Sequence, residues 1–432
     1  MHSTPIAPDT PPEATGSSHP FSALTPDVVL DALASVGLHG DGRLLALNSY
    51  ENRVYLVHLE SGNPDLAAVV VKFYRPGRWS RAQILEEHTF SAELIQDEIP
   101  VVGPLLLQGT DQANGPATLH QHAGFHFSVS PRRGGRAPEL DDDNHLEWIG
   151  RLLARIHNVG ARQPFTHRPT LDVQQFAIEP RDWLLSSHSV APEVQGEWAA
   201  ACAQAIARIQ ASGLASASIL RLHGDCHPGN ILWTPEVSAP ATANDAGGQH
   251  AAAPGCPKQG SGPLGGQGVT RSERPPSGAT AHDASGQHAA APGRPKQGSG
   301  PLGGQGATRS EQPWGQQQPG PHFVDMDDAR SGPAVQDLWM LLSGERHQRA
   351  RALGALLDGY TQLREFDARE LALIEPLRTL RLIHYSAWLA RRWSDPTFPA
   401  NFPWFGSRDY WTGQVQMLQE QIEAMDEPPL VY

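Results

Sequence analysis

The chain has 432 residues, a formal net charge of −13 and three cysteines. Its basic residues form no run longer than pairs such as Arg132-Arg133, which argues against nucleic acid as a partner. Residues 66–71 are the longest strongly apolar run and the N-terminus has no apolar signal region, so neither a membrane span nor secretion is predicted. Three cysteines fit no disulfide framework, which favours a cytoplasmic location.

Composition divides the chain into two low-complexity segments and a body that can bury two cores. Residues 1–20 are rich in Pro, Ser and Thr, and residues 234–321 contain 18 Gly and 13 Pro. Neither segment has the apolar content for a core, so both are predicted to be disordered. The remainder is predicted to form an N-terminal lobe from residues 21–130 and a second, α-rich lobe from residues 131–233 and 322–432.

The N-terminal lobe shows the pattern of one helix followed by strands. Thr25 is a helix cap, and the helix is predicted to run to Leu38. Two β-type runs in residues 44–59 flank a polar turn at residues 48–53, which predicts a hairpin. Taken alone, this turn is typical of an ordinary hairpin connection.

Lys72 ends the next apolar strand and therefore needs a partner if it is buried. The following helix offers Glu86, Glu87 and Glu93, of which Glu87 lies on the apolar face, seven residues before Leu94. Glu87 is the predicted partner. The alternative is a surface lysine with an extended side chain. Further on, an alternating strand at residues 124–131 is followed by two glycines, which predicts a hinge between the lobes.

Two segments carry the most specific pattern in the chain. Residues 221–233, RLHGDCHPGNILW, present Asp225 and Asn230, and residues 322–328, HFVDMDD, present Asp325 after an apolar pair. An aspartate that accepts a hydroxyl proton, an asparagine that binds Mg²⁺ and a strand-end aspartate that chelates the same metal form the phosphotransfer arrangement of kinases. Because Mg²⁺ prefers oxygen ligands, Asn230 and Asp325 are the predicted metal ligands, and Asp225 is the predicted base.

The segment at residues 221–233 also contains the pattern H-x-D-x-H. His223, Asp225 and His227 could form a metal-hydrolase cluster, although histidines in such loops are more often hydrogen-bonded scaffolding. The sequence shows no further cluster of His or Cys that would complete a zinc site.

A tandem repeat fills most of the stretch between the two catalytic segments. Residues 243–275 match residues 281–313 at a period of 38. The short apolar runs on either side, ILW and HFV, are predicted to pair as a hairpin behind the metal site, with the insertion leaving from its tip.

The remaining sequence is helical. Helices are predicted at residues 336–342, in a run from 367 towards 393, and at residues 409–425. The same region carries a cluster of aromatic residues. The main interpretation is that these rings pack in the core, and the alternative is that they line a substrate site. Its members are Trp388, Trp393, Phe398, Phe402, Trp404, Phe405 and Trp411.

Five stretches together carry a resemblance to a known family: LNSYENRVY, VVKFYRPGRWSRAQILEEH, RLHGDCHPGNILW, FVDMDDARSGPAVQDLWMLL and RRWSDPTFPANFPWF. They resemble the bacterial stress response kinase A family, in the aminoglycoside phosphotransferase and choline kinase-like branch of the kinase fold. The resemblance covers residues 21–233 and 322–432. It implies an α+β, two-lobed protein-kinase-like fold with a small β-rich N-lobe and a larger α-rich C-lobe.

The resemblance also implies a function. It is that of a monomeric, cytoplasmic Ser/Thr protein kinase, dependent on ATP and Mg²⁺, that phosphorylates itself and other proteins and counteracts reactive-oxygen and extracytoplasmic stress. By resemblance, Asp225 is the proton acceptor, Asp325 a second active-site aspartate and metal ligand, Asn230 a metal ligand and Ser49 an ATP-site residue. Lys72 would contact the ATP phosphates and pair with Glu87. The family joins the two catalytic strands by a short turn, from which this chain departs.

Two other functions stay open. One is a small-molecule hydroxyl kinase acting on an aminoglycoside, choline or homoserine, because Asp327 and Asp328 or a tryptophan-rich tail could hold a cation. The other is a pseudokinase-like binding module, which the presence of all four predicted catalytic side chains disfavours.

Overall fold

The computed structural model describes residues 19–60, 66–109, 115–234 and 319–432. The strands are β1 (Gly40–Ala46), β2 (Arg53–Leu59), β3 (Ala68–Phe73), β4 (Leu107–Gln108), β5 (Pro116–Ala117), β6 (His120–His122), β7 (Phe125–Pro131), β8 (Leu220–Leu222), β9 (Ile231–Thr234), β10 (Gly320–Phe323) and β11 (Arg330–Gly332). The helices are α1 (Pro26–Ala34), α2 (Arg81–Gln96), α3 (Asp143–Gly160), α4 (Glu179–Ser186), α5 (Gln195–Ala211), α6 (Gln336–Trp339), α7 (Arg346–Tyr360), α8 (Ile374–Arg391), α9 (Thr397–Asn401) and α10 (Arg408–Asp426). The predicted two-lobed α+β fold is confirmed.

Two predicted segments lie almost wholly beyond these ranges. The tail at residues 1–20 is described only from residue 19. Of the predicted insertion at residues 234–321, the structure describes residue 234 and residues 319–321, and the repeat at residues 243–313 lies outside the described residues. The predicted bounds of the insertion are too wide, because strand pairing extends β9 to Thr234 and begins β10 at Gly320. Among the helices of the described ranges, none combines the length and apolar character that crossing a bilayer requires.

The N-terminal lobe is an antiparallel sheet in the order β1-β2-β3-β7-β6. One face packs on α1 and buries Val71 and Phe73 completely. Helix α1 ends at Ala34 rather than at the predicted Leu38, because the chain turns at Gly37 with φ +78° and the Leu38 N–H returns to the helix.

Lys72 lies on the central strand β3, opposite Val54 of β2 and Ser128 of β7. Its neighbours Val71 and Phe73 point into the α1 core, and side chains alternate along a strand, so Lys72 points to the other face of the sheet. That face is turned towards the C-terminal lobe.

The C-terminal lobe is built on a close pair of helices, α3 and α7. A Cβ atom at Gly150 would lie 2.0 Å from the Leu356 carbonyl oxygen, and one at Gly359 would lie 1.9 Å from that of Glu147. Only glycine permits this backbone approach. The predicted C-terminal helices are present, although α8 begins at Ile374 because a 3₁₀ turn precedes it.

The two catalytic segments meet at an antiparallel hairpin. Strand β9 pairs with β10, with Ile231 opposite Phe323 and Trp233 opposite Pro321, so the predicted hairpin is confirmed. Its far end places Asn230 next to the segment that leads to Asp325. The segment after β7 connects the two lobes where the hinge is predicted, and its Arg136 forms backbone hydrogen bonds with Trp233 of β9.

Candidate active site

A buried carboxylate holds the loop that carries Asp225. Asp337 is fully buried and accepts hydrogen bonds from the N–H groups of His223 (2.9 Å) and Gly224 (2.8 Å). His157 of α3 donates its Nε2 proton to the same carboxylate (3.1 Å). Burial alone would raise the pKa of Asp337, but these hydrogen bonds outweigh it and hold the pKa below its ordinary value.

Gly224 makes this loop possible. Its φ is +83°, and a Cβ atom there would lie 2.2 Å from the Asp328 carbonyl oxygen. A side chain would therefore be strained in its own backbone and would also push the DMDD segment away. The loop and the segment that carries Asp325 touch at this glycine.

The histidines beside Asp225 act as scaffolding. His223 is buried, donates from Nε2 to the Val324 carbonyl (3.0 Å) and accepts the Asp225 N–H at Nδ1 (3.4 Å). Both ring nitrogens are therefore occupied. His227 accepts the Gly229 N–H at Nδ1 (3.0 Å). Within the described ranges no three His, Cys, Asp or Glu residues are grouped as a metal site, so the H-x-D-x-H alternative is wrong.

Asp225 is partly exposed, and its carboxylate lies beside an arginine and a histidine. Its Oδ1 lies 2.5 Å from the Arg381 guanidinium and its Oδ2 lies 3.5 Å from His227 Nε2. Burial would raise the pKa of Asp225, but Arg381 first and His227 second outweigh it and lower the pKa below its usual range. The carboxylate is therefore ionised at neutral pH, as a base requires.

Asn230 and Asp325 offer oxygen atoms of the kind that Mg²⁺ prefers. The Asn230 side chain donates from Nδ2 to the Asp225 carbonyl (3.0 Å), and because a carbonyl only accepts, the amide oxygen must point away and remain available. The Asp325 carboxylate is 49% exposed. Val324 N–H bonds to the Asn230 carbonyl (3.0 Å), which joins the two segments. An amide oxygen and a carboxylate fit a magnesium ion that completes its shell with phosphate and water.

Asp325 has an unusual backbone. Its φ of 58° and ψ of 60° lie in the left-handed region, which costs free energy for a residue with a side chain. Strained backbone of this kind clusters at functional positions, although Glu98, Ala123 and His188 share it elsewhere in the described residues. Here it turns the carboxylate out of the β10 direction and towards the N-terminal lobe.

Lys72 reaches across to that carboxylate. Its Nζ lies 2.6 Å from Asp325 Oδ1. Burial would lower the pKa of Lys72, but the carboxylates of Asp325 and Asp327 outweigh it and raise the pKa, so the side chain is charged. Lys72 thus has a carboxylate partner, and the pair bridges the two lobes.

The predicted ion pair between Lys72 and Glu87 is not formed among the described residues. Glu87 is buried on α2, where it accepts a hydrogen bond from Ser91 (3.0 Å) and lies 3.6 Å from His88 Nε2. Lys72 instead forms an ion pair with Asp325, whose carboxylate is directed towards β3. Glu87 still contributes a favourable charge to Lys72 from a greater distance.

Ser49 lies in the turn between β1 and β2, as predicted from the sequence. Its hydroxyl donates to the Asn52 carbonyl (3.2 Å), which shapes the turn from within. Asn52 is buried; its amide donates to Asp327 (3.1 Å) and accepts the Arg75 N–H (3.1 Å). Asn52 is therefore a structural link between the lobes, whereas Ser49 is half-exposed.

Sequence reasoning missed the arginines that neutralise the acidic segment. Arg78 bonds to Asp327 and, at 2.8 Å, to Asp328, which also accepts from Arg330 (2.6 Å). The two carboxylates that could have held a cation are thus already paired. The two consecutive aspartates after Asp325 are a signal that basic partners are needed, but no spacing rule identifies Arg78 as one of them.

A second cluster anchors the β1–β2 turn to the segment after α8. Asp395 is 1% exposed and binds Arg53 (2.9 Å) and Arg75 (2.7 Å). Glu51 accepts from Trp388 Nε1 (2.5 Å) and pairs with Arg392 (2.6 Å). This set of residues, called the interlobe latch below, ties the turn to the C-terminal lobe.

The aromatic cluster of the C-terminal segment is mainly packing, as predicted. Phe398 and Trp411 are fully buried, and Trp198 packs edge-on against Trp411 at 5.4 Å between ring centroids. Trp388 is partly exposed and stacks on Tyr385 at 5.5 Å. Most of these rings are therefore unable to form a cage for a substrate cation.

Comparison with known proteins agrees with this geometry. The phosphotransferase enzyme family matches residues 43–239. Stress response kinase A of Escherichia coli (strain K12) is 37% identical over 414 residues, which cover 96% of this chain and 97% of that protein. Serine/threonine protein kinase RdoA of Salmonella typhimurium (strain LT2) is 35% identical over 410 residues, with 95% and 96% covered.

Solved structures share the fold at lower identity. A microcompartment-associated aminopropanol kinase matches with a TM-score of 0.57 at 15% identity, over 92% of this chain and 98% of its own. The amicoumacin kinase hAmiN, in complex with AMP-PNP, Ca²⁺ and Ami, matches with a TM-score of 0.56 at 16% identity, over 94% of each chain. Because the curated relatives match over nearly the full length of both proteins, the chain belongs to the stress response kinase A family, and it is a phosphotransferase of the kinase-like fold.

Proposed function

We propose that the chain transfers the γ-phosphoryl group of ATP to Ser and Thr hydroxyls of proteins, including its own. The observation that carries the proposal is the meeting of Asp225, Asn230 and Asp325 around one hairpin, with Lys72 reaching Asp325 from the other lobe. These four side chains match the acceptor, metal and phosphate roles of a kinase.

Each role follows from the local contacts. Asp225, held ionised by Arg381, accepts the proton of the acceptor hydroxyl. Asn230 and Asp325 would hold Mg²⁺, which neutralises charge on the phosphates when it is bound. Lys72 and Ser49 would contact the phosphates, and Glu87 supports the charge of Lys72. The backbone of the hinge after β7 would receive the adenine.

Two observations support a protein acceptor over a cationic alcohol. Asp327 and Asp328 are occupied by arginines, so they do not offer free negative charge. A relative at 35% identity carries the name serine/threonine protein kinase. The names of the relatives also support a role in a stress response, which we propose is the limitation of reactive-oxygen and extracytoplasmic damage by a cytoplasmic monomer.

The test is to map the phosphate after incubation with γ-labelled ATP and Mg²⁺. Phosphoserine or phosphothreonine on the protein itself or on an added polypeptide is the expected result. Rapid labelling of choline, homoserine or an aminoglycoside with no phosphate on protein would contradict the proposal. Omission of Mg²⁺ is the control and should stop transfer.

A further inference from the structure

We propose that Arg381 selects the acceptor: it favours a Ser or Thr that is next to an acidic residue in a polypeptide, and it disfavours cationic alcohols. This inference rests on the proposed function and adds the class of acceptor to it. The residue lies on α8, far along the chain from both catalytic segments.

The position of Arg381 carries the argument. Its guanidinium lies 2.5 Å from Oδ1 of Asp225, the carboxylate proposed to receive the acceptor proton. The arginine side chain is 43% exposed, whereas the aspartate side chain is 21% exposed. The acceptor hydroxyl must approach this carboxylate, so any substrate meets Arg381 at the same place.

Among the described residues that contact the Asp225 carboxylate, Arg381 is the permanent cation, because His227 is charged only when protonated. Asp328 is engaged by Arg78 and Arg330, and Asp327 is engaged by Arg78 and Asn52. An ammonium group that came to Asp225 would have to displace Arg381 and remain beside it. Like charges at contact distance repel, so the site is unfavourable for an amino alcohol.

An acidic residue beside the acceptor hydroxyl has the opposite effect. Its carboxylate can pair with the Arg381 guanidinium in place of Asp225, in the bidentate geometry that arginine prefers. Oδ1 of Asp225 is then free to take the hydroxyl proton while the Ser or Thr oxygen bonds to the γ-phosphorus. The bond from that phosphorus to the bridging oxygen breaks, and ADP leaves with the electron pair.

The experiment uses the full-length chain and two peptide libraries. Both are degenerate around a single Ser, with Glu fixed at the flanking positions in one and Lys in the other. Wild-type protein is expected to phosphorylate the Glu library at least tenfold faster. Arg381→Glu should invert that ratio, Arg381→Gln should bring it towards one, and Arg381→Lys should retain the preference for Glu.

Two further measurements separate the possible failures. ATP hydrolysis in the absence of peptide reports on the nucleotide site. Arg391 is an exposed arginine on the same helix, so Arg391→Ala is the matched control and should keep the wild-type ratio. Absence of any Ser phosphorylation by wild-type protein would overturn the proposed function. Ser phosphorylation with equal rates for both libraries, or a ratio that Arg381→Gln leaves unchanged, would overturn the role of Arg381 alone.

Discussion

Asp225 is ionised because of what surrounds it, and the loop that presents it depends on one more carboxylate. Asp337 binds two successive backbone N–H groups and a buried histidine. Backbone donors that lose a buried acceptor cannot be rehydrated without opening the core. The geometry of Asp225 therefore rests on a residue that does not touch the substrate.

Replacement of Asp337 by Ala should lower the free energy of unfolding by about 3 kcal/mol, since it leaves buried donors unpaired. Phosphotransfer should fall along with it, because the Asp225 loop loses its anchor. Urea denaturation and γ-phosphoryl transfer measure the two effects. Asp426→Ala removes an exposed partner of Arg208 and is the control, with no change expected. A stable Asp337→Ala variant would contradict the assignment.

His384 gives the structure a pH dependence. Burial, with Arg330 second, lowers its pKa to about 3, and the ring packs on Phe176 at 4.8 Å. The unfolded chain then binds a proton that the folded chain does not, between the ordinary histidine pKa and about 3. Stability is therefore expected to fall as the pH drops below the ordinary histidine pKa.

His384→Gln should reduce that loss. Between pH 7 and pH 5 the variant should lose less stability than the wild type, by on the order of 1 kcal/mol. The measurement is the urea midpoint at both pH values. Identical pH dependence in the two proteins would show that His384 is protonated as easily in the folded state as in the unfolded state.

At the scale of elements, the interlobe latch replaces the glycine-rich loop found in many kinases. The β1–β2 turn contains no glycine between residues 47 and 53 and is held instead by Glu51, Arg53 and their partners after α8. A turn fixed in this way is already ordered before nucleotide binds. Its contribution to affinity should then depend on the C-terminal segment.

Asp395→Ala tests this coupling. It leaves Arg53 and Arg75 without their buried partner and should cost about 3 kcal/mol of stability. Nucleotide affinity should also fall, because the turn over the phosphates is released. Calorimetric titration with ATP and Mg²⁺ measures the affinity. A variant that is destabilised but binds ATP as tightly as wild type would show that the latch is structural only.

The sequence predicted the elements that act locally and missed those that act across the fold. The meeting of Asp225, Asn230 and Asp325 could be predicted because each is presented by a short segment with its own spacing. Arg381 and Asp395 are far along the chain from both catalytic segments. In the sequence alone, a charged residue on a helix or in a loop cannot be told from an ordinary surface residue. The kinase arrangement predicts a pair between Lys72 and Glu87, but the left-handed backbone of Asp325 turns its carboxylate towards Lys72 and so determines the partner.

At the scale of the whole molecule, the segment between β9 and β10 separates two strands that pair directly. Replacement of residues 239–318 by a short Gly-containing turn should preserve folding and ATP turnover. The entropy of closing so long a connection exceeds that of a short turn by about 2 kcal/mol, so the melting temperature should rise modestly. Thermal unfolding of the shortened chain is the measurement. Loss of the folded state would contradict this division of the chain.

The most direct test of the central claim is single-turnover transfer from γ-labelled ATP by Asp225→Asn and Asp325→Ala. We predict that Asp225→Asn binds ATP and Mg²⁺ with near wild-type affinity but transfers phosphate at least about 100-fold more slowly, because only the proton acceptor is lost. Asp325→Ala should lose the metal-dependent part of nucleotide binding. Near-normal transfer by Asp225→Asn would contradict the assignment of this residue as the base and, with it, the account of the site.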